Sequence, residues 1–104
     1  MDLFDALAEP TRRNIIEMLA RSGQLSATDI SDKFNVSPPA ISQHLKVLRE
    51  AKLVDMEKRA QQRIYTINAN TLLELEKWAS KMNELWGERF DRLDKVLSEA
   101  KHGK

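Results

Sequence analysis

The stretch that decides the fold is "NVSPPAISQHLKVLREAKLV", Asn35 to Val54. Asn35 suits the left-handed conformation that ends a helix, and Val36 supplies an apolar plug. Ser37 then caps a new helix with Pro38 at its first position. Projected at about 100° per residue, Ile41, Leu45 and Leu48 fall on one stripe, flanked by Ala40, His44, Val47 and Ala51. Pro39, Ser42, Gln43, Lys46 and Arg49 fall on the opposite side. A solvated helix usually carries glutamates and lysines outward, but the leading end here is small or amide-bearing and has no carboxylate. Such a face can approach another surface closely. A duplex groove suits it, because Gln and Ser hydrogen-bond base edges and a proline or methyl group can touch a thymine methyl. Lys46 and Arg49, further along, would lie nearer phosphates.

Working outward toward the N-terminus, "SATDISDKF" places Ser26 and Asp29 at capping spacing, with Ala27, Ile30 and Phe34 as its apolar face. It predicts a short third helix, and two helices joined by so tight a turn must cross steeply. Before it, "LFDALAEPTRRNIIEMLARSG" divides at Glu9-Pro10, because proline disfavours helical geometry in its predecessor yet suits a first turn. The second of these helices carries Ile15, Ile16, Met18 and Leu19 at helical spacing and stops at Gly23.

Toward the C-terminus the period changes. In "LVDMEKRAQQRIYTIN", Val54, Met56, Ile64 and Thr66 alternate with polar residues while Tyr65 and Ile67 take the other face. This predicts a two-stranded hairpin with its tip near Arg59 to Gln62. Arg59 and Arg63 have no acid between them, so a tip bearing them with Gln61 and Gln62 could reach a phosphate or the adjacent minor groove. The last segment begins with Thr71 and Glu74 as a capping pair and carries an apolar stripe from Leu72 to Leu97. A helix of about 29 residues extends roughly 43 Å, more than the small body before it can cover. Its stripe is therefore expected to meet a second copy through Leu75, Trp78, Met82, Leu85, Trp86, Phe90 and Leu93, together with Leu3 and Phe4 of the first helix. Gly87 weakens the helix locally but permits close backbone approach there.

At 104 residues the chain fits a single domain, with a helix-turn-helix over 26–51, a hairpin over 53–68 and a long helix over 71–100. A domain this small buries a modest share of its apolar surface alone, so a partner subunit would help. The net charge of +1 hides a gradient. Residues 1–36 hold four Lys/Arg against six Asp/Glu, residues 37–70 hold six against three, and residues 71–99 hold five against seven. Positive charge thus gathers where a polyanion would be attracted. There are no cysteines, which excludes disulfides, thiolate catalysis and every Cys-based metal site. No apolar run is long enough to span a bilayer, and "MDLFDALAEP" lacks the features of a signal peptide, so a cytoplasmic location is expected. His44 is expected to be structural, bonded to backbone or supporting the third helix. Ser42 and His44 point apart, and no acid in the sequence is placed to orient the imidazole, so hydrolase chemistry is not expected.

The segments "LFDALAEPTRRNIIEMLA", "VSPPAISQHLKVLREAKLV" and "RIYTIN" resemble the ArsR/SmtB family of small dimeric bacterial transcriptional regulators, from about Leu3 to Leu97. The middle segment is the most specific, matching at Ser37, Ile41, Ser42, His44, Leu45, Leu48, Leu53 and Val54. The resemblance implies a mainly α fold with a small β-hairpin wing: a winged helix-turn-helix, dimeric through its first and long last helices. It implies major-groove entry by the fourth helix, with Pro38, Pro39, Ser42 and Gln43 at positions used for bases and nearby backbone. Two departures stand out. The tip "KRAQQR" lacks the glycine often found there. Family members that sense metals use cysteines on the third helix or His and Asp on the last, and this chain has no soft ligand on the third helix and no histidine on the last before His102. Metal sensing and cofactors are therefore not expected.

The combined reading is a homodimeric, sequence-specific repressor of double-stranded DNA, acting on an inverted-repeat operator. Two rival readings remain open: a winged-helix module that has lost DNA binding and recruits a protein, and a sensor that takes an unknown small-molecule effector at the dimer interface.

Overall fold

The computed structural model describes the backbone of residues 2–102 and the side chains of residues 2–89. In chain order the elements are α1 (Leu3–Leu7), α2 (Pro10–Ser22), β1 (Leu25–Ser26), α3 (Ala27–Asp32), α4 (Pro38–Glu50), β2 (Val54–Arg59), β3 (Gln62–Ile67) and α5 (Ala69–His102). Residues through Leu72 form one compact unit, and the chain from Leu73 onward forms a second. The fold is mainly helical, with one three-stranded antiparallel sheet in the order β1-β3-β2.

Local chemistry accounts for most boundaries. Ser26 accepts from the Asp29 N–H while the Asp29 carboxylate accepts from the Ser26 N–H, a reciprocal cap that starts α3. Ser37 accepts from Ala40 N–H at 3.3 Å and starts α4 with Pro38 behind it. Gly23 ends α2 at φ 85°, and an added Cβ would meet nothing within 4 Å. Backbone conformation alone therefore favours glycine there. The core of the first unit is Ala6, Ile15, Leu19, Ile30, Ile41, Leu45, Val47, Leu48, Ala51, Leu53, Val54 and Tyr65, drawn from every element before α5 except the short β1. Ala27 and Phe34 pack on it from the third helix and the turn after it, as the periodicity predicts.

Five sequence expectations need correction. Asn35 does not take a left-handed conformation; among the described non-glycine residues only Lys52 and Ala60 have positive φ. The turn between α3 and α4 closes instead through the N–H groups of Lys33 and Phe34 bonding back to Ile30 and Ser31. Val36 is exposed rather than a plug, because Phe34 fills the space beside the core. The sheet gains a third strand, since Leu25 and Ser26 pair with Tyr65 and Ile64, and two residues carry too little alternation to be read as a strand.

The hairpin faces also differ from the expected ones. Val54 pairs with Ile67 and Met56 with Tyr65, so these four share a face, while Ile64 and Thr66 lie across from Glu57 and Asp55 on the other. A two-residue turn at Ala60-Gln61 sets that register, and a one-residue slip exchanges the faces. Finally, α5 begins earlier than the Thr71 and Glu74 pair suggests. Asn68 Oδ1 accepts from the Thr71 N–H at 3.0 Å, and Asn68 Nδ2 donates to Asp55 at 3.2 Å, pinning the helix start to β2. Thr71 is buried inside the first turn.

Candidate nucleic-acid interface

Helix α4 builds the site by separating its two sides cleanly. Ile41, Leu45, Val47 and Leu48 are buried, and Pro38, Pro39, Ser42, Gln43, Lys46 and Arg49 are exposed. The first turn has room for close approach because Pro38 and Pro39 are compact and the first turn holds no acid. At its far end α4 stops in a Schellman arrangement, with Leu53 N–H bonding Leu48 O at 3.0 Å and Lys52 N–H bonding Arg49 O at 2.9 Å. Lys52 carries the positive φ of 61° that this motif requires, a place usually held by Gly or Asn. The residue type hid this stop from sequence reading. It turns the chain directly into β2, and so sets the wing beside the helix.

Between α4 and β3 lies a concavity of about 480 Å³. Pro39, Ser42, Gln43, Lys46 and Arg49 line one side and Arg63 and Tyr65 the other. Six of the ten residues expected to contact DNA thus meet on one surface. Pro38 lines a neighbouring hollow with Ser42 and the third helix. Arg59, Gln61 and Gln62 stand apart at the exposed hairpin tip. Arg59 differs from expectation in its pairing: its guanidinium meets Glu57 at 3.1 Å, two residues back on the same face of β2. Lys46, Arg49 and Arg63 are exposed and make no ion pair among the described residues. Such a surface attracts phosphates at a distance and releases counterions on contact.

Behind α4, His44 makes no hydrogen bond to backbone among the described residues. Its Nδ1 lies 3.3 Å from the Arg12 guanidinium and 3.8 Å from Glu9 Oε2, both at the start of α2. An acid therefore does stand beside the imidazole, but Ser42 is on the exposed side of the helix and the pair makes no hydrolase. Glu9 carries no capping signal in the sequence, because Ser, Thr, Asp and Asn are the favoured caps. In the fold it is the cap of α2, accepting from the Arg12 N–H at 3.0 Å. Among the described residues no group of three or more His, Cys, Asp or Glu is arranged to hold a metal ion, and no helix is long and apolar enough to cross a membrane.

Of the side chains expected at a dimer interface, Phe4, Trp78, Leu85 and Trp86 are exposed, Leu3, Leu75 and Met82 are half-buried, and those of Phe90 and Leu93 lie outside the described residues.

A helix-turn-helix beside an arginine-bearing two-stranded wing defines the winged helix-turn-helix class of DNA-binding transcriptional regulators, not an enzyme. Comparison with known proteins narrows the class. The family model "Bacterial regulatory protein, arsR family" matches residues 9–56. Transcriptional repressor SdpR of Bacillus subtilis is 35% identical over 77 residues, 74% of this chain and 84% of that protein. HTH-type transcriptional regulator Rv2034 of Mycobacterium tuberculosis is 42% identical over 72 residues, 69% of this chain and 66% of that one. The solved structure of an ArsR-like transcriptional regulator from Rhodococcus sp. RHA1 superposes with a TM-score of 0.73 at 26% identity, covering 90% of this chain and 88% of that one. The chain belongs to the arsR family of bacterial regulatory proteins.

Proposed function

We propose that this protein is a homodimeric, cytoplasmic repressor that binds an inverted-repeat operator through α4 and the wing. The carrying observation is the concavity between α4 and β3, where three cations with no ion pair among the described residues flank a small, amide-bearing helix face. Ser42 and Gln43 meet base edges, Pro38 and Pro39 allow the close approach, and Lys46, Arg49 and Arg63 bind phosphates. Arg59, Gln61 and Gln62 extend the contact along the wing. The exposed Phe4, Trp78, Leu85 and Trp86 support pairing of two copies, which places two α4 helices in successive major grooves about 34 Å apart. Repression by occluding polymerase accords with the repressor activity named for the Bacillus subtilis relative.

Selection of bound sequences from a random duplex pool tests this. The expected result is a palindromic site whose half-sites are spaced by one helical turn, bound more weakly as salt rises. An unsymmetrical site, or affinity nearly independent of salt, would overturn the reading. Size-exclusion chromatography with light scattering gives the subunit count independently.

A further inference from the structure

The contact behind α4 has no part in the DNA interface, yet it joins three elements. The Arg12 Nε donates to the Ala6 carbonyl at 2.6 Å, one terminal nitrogen lies 3.3 Å from the Asp5 carbonyl, and the other lies 3.3 Å from His44 Nδ1. A guanidinium has no acceptor and keeps its proton at any ordinary pH. In that contact Nδ1 can only accept, which requires the Nε2–H tautomer of the ring. Through this one side chain the end of α1 and the start of α2 are tied to the inward flank of the DNA-facing helix.

A proton added to His44 reverses the contact. Nδ1 becomes a donor and faces a cation that cannot accept. The acceptor within reach is Glu9 Oε2 at 3.8 Å. For Glu9 burial acts to raise the carboxyl, but the Arg12 N–H, the charge His44 carries once protonated, the Thr11 side chain and the charge of Arg12 outweigh it and hold the group below the usual carboxylate value. Glu9 is therefore ionised throughout the range where histidines titrate. Glu9 and Arg12 are the charged groups facing His44 from α2, and from α1 the guanidinium meets the backbone carbonyls of Asp5 and Ala6. Among the described residues no other acid lies within ion-pair distance of the ring.

We propose that Arg12, His44 and Glu9 form a proton-responsive seat for the recognition helix, in which Arg12 is a positioning residue acting through His44. The proposal rests on the reading of α4 as the DNA-contacting helix. The seat acts on sequence discrimination more than on total affinity. An added positive charge strengthens attraction to every duplex, whereas a shift of α4 harms only the base contacts. The ratio of operator affinity to random-duplex affinity should fall roughly fivefold, the low end of couplings between linked sites, as the pH is lowered from about 8 to about 5.

The test measures that ratio by fluorescence anisotropy on the full chain at constant ionic strength, with the selected operator and a random duplex. In parallel, nitrogen-detected NMR of the free protein reads the ring tautomer, with His44→Asn distinguishing the ring from that of His102. The wild type should show the Nε2–H form at neutral pH. His44→Asn keeps an oxygen that can accept from Arg12 and does not titrate, so its ratio should stay high and flat. Glu9→Gln removes the anionic acceptor, and the fall should move to lower pH. Arg12→Lys keeps the charge but cannot bridge three acceptors, and should lower the ratio at every pH. An Nδ1–H tautomer, or the same fall in the wild type and His44→Asn, would overturn the proposal. Absence of operator preference at every pH would sink the α4 reading and the proposal with it, and the tautomer, read without DNA, tells that failure apart.

Discussion

Helices α4 and α5 are both amphipathic, and they dispose of their apolar sides in opposite ways. Every apolar stripe residue of α4 is covered by the chain's own core: Ile41, Leu45 and Leu48 are at most 2% exposed. Along α5, Trp78 is 49% exposed, Leu85 50% and Trp86 59%. The same periodicity thus serves two ends. Where the inner side is fully satisfied within the unit, the outer side is free to be specialised, and α4 spends it on short polar groups and cations. Where large aromatic groups stay in water, the apolar side itself is what a second chain can cover.

The largest expected effect tests the covered side. Leu48→Ala should lower the unfolding free energy by about 2–5 kcal/mol, because it opens a cavity at a fully buried position. Urea titration measures it, and a loss well under 1 kcal/mol would mean that α4 is not seated as described. Next comes the uncovered side. Trp86→Ala should weaken self-association by about 2 kcal/mol or more, the scale of an interface anchor, seen by light scattering across a dilution series. An unchanged subunit count at every concentration would break the contrast between the helices.

On the outer side of α4, Gln43→Ala should cost roughly 1–3 kcal/mol at one base pair of the operator and little on random duplex. Arg63→Ala should weaken both alike and reduce the salt slope by about 1. Equal behaviour of the two variants would erase the division between base-reading and phosphate-binding groups. A smaller gain is expected at the end of α4, where Lys52→Gly should raise stability by about 1 kcal/mol by relieving a left-handed residue. Thermal melting would show it.

The smallest effect is acid-sensitive. Glu9 is held below its ordinary value when folded, so its contribution is present above the unfolded carboxyl value and fades as pH falls through the lower folded one. The Glu9→Gln variant should lack that part of the acid dependence in parallel urea titrations. An identical pH profile would show that the cap is not electrostatic.

Much of this was legible in the chain because it depends on neighbours in sequence. The reciprocal cap of Ser26 and Asp29, the Ser37-Pro38 start, the Gly23 stop and the two sides of α4 follow from local chemistry and a 3.6-residue period. The hairpin's existence followed from its period of two, but its register did not. Alternation alone cannot tell which residue opposes Val54, and only the turn at Ala60-Gln61 decides it. Arg63 could be named as a candidate to act with α4, and it does line the concavity beside that helix, whereas the pairing of Arg59 with Glu57 depends on a shared strand face whose rotamers sequence does not specify.

What sequence by itself determined, then, is which segments are helical, where α3 and α4 start, and which side of α4 is small and free of acids. Tertiary structure alone decided that Arg63 stands across a shared concavity from Ser42, Gln43, Lys46 and Arg49, and that Arg12 and Glu9 reach His44 from 32 and 35 positions away. The physical reason is range. Caps and periodicity act within a few residues along the backbone, whereas the meeting of distant side chains is set by how whole elements pack on one core.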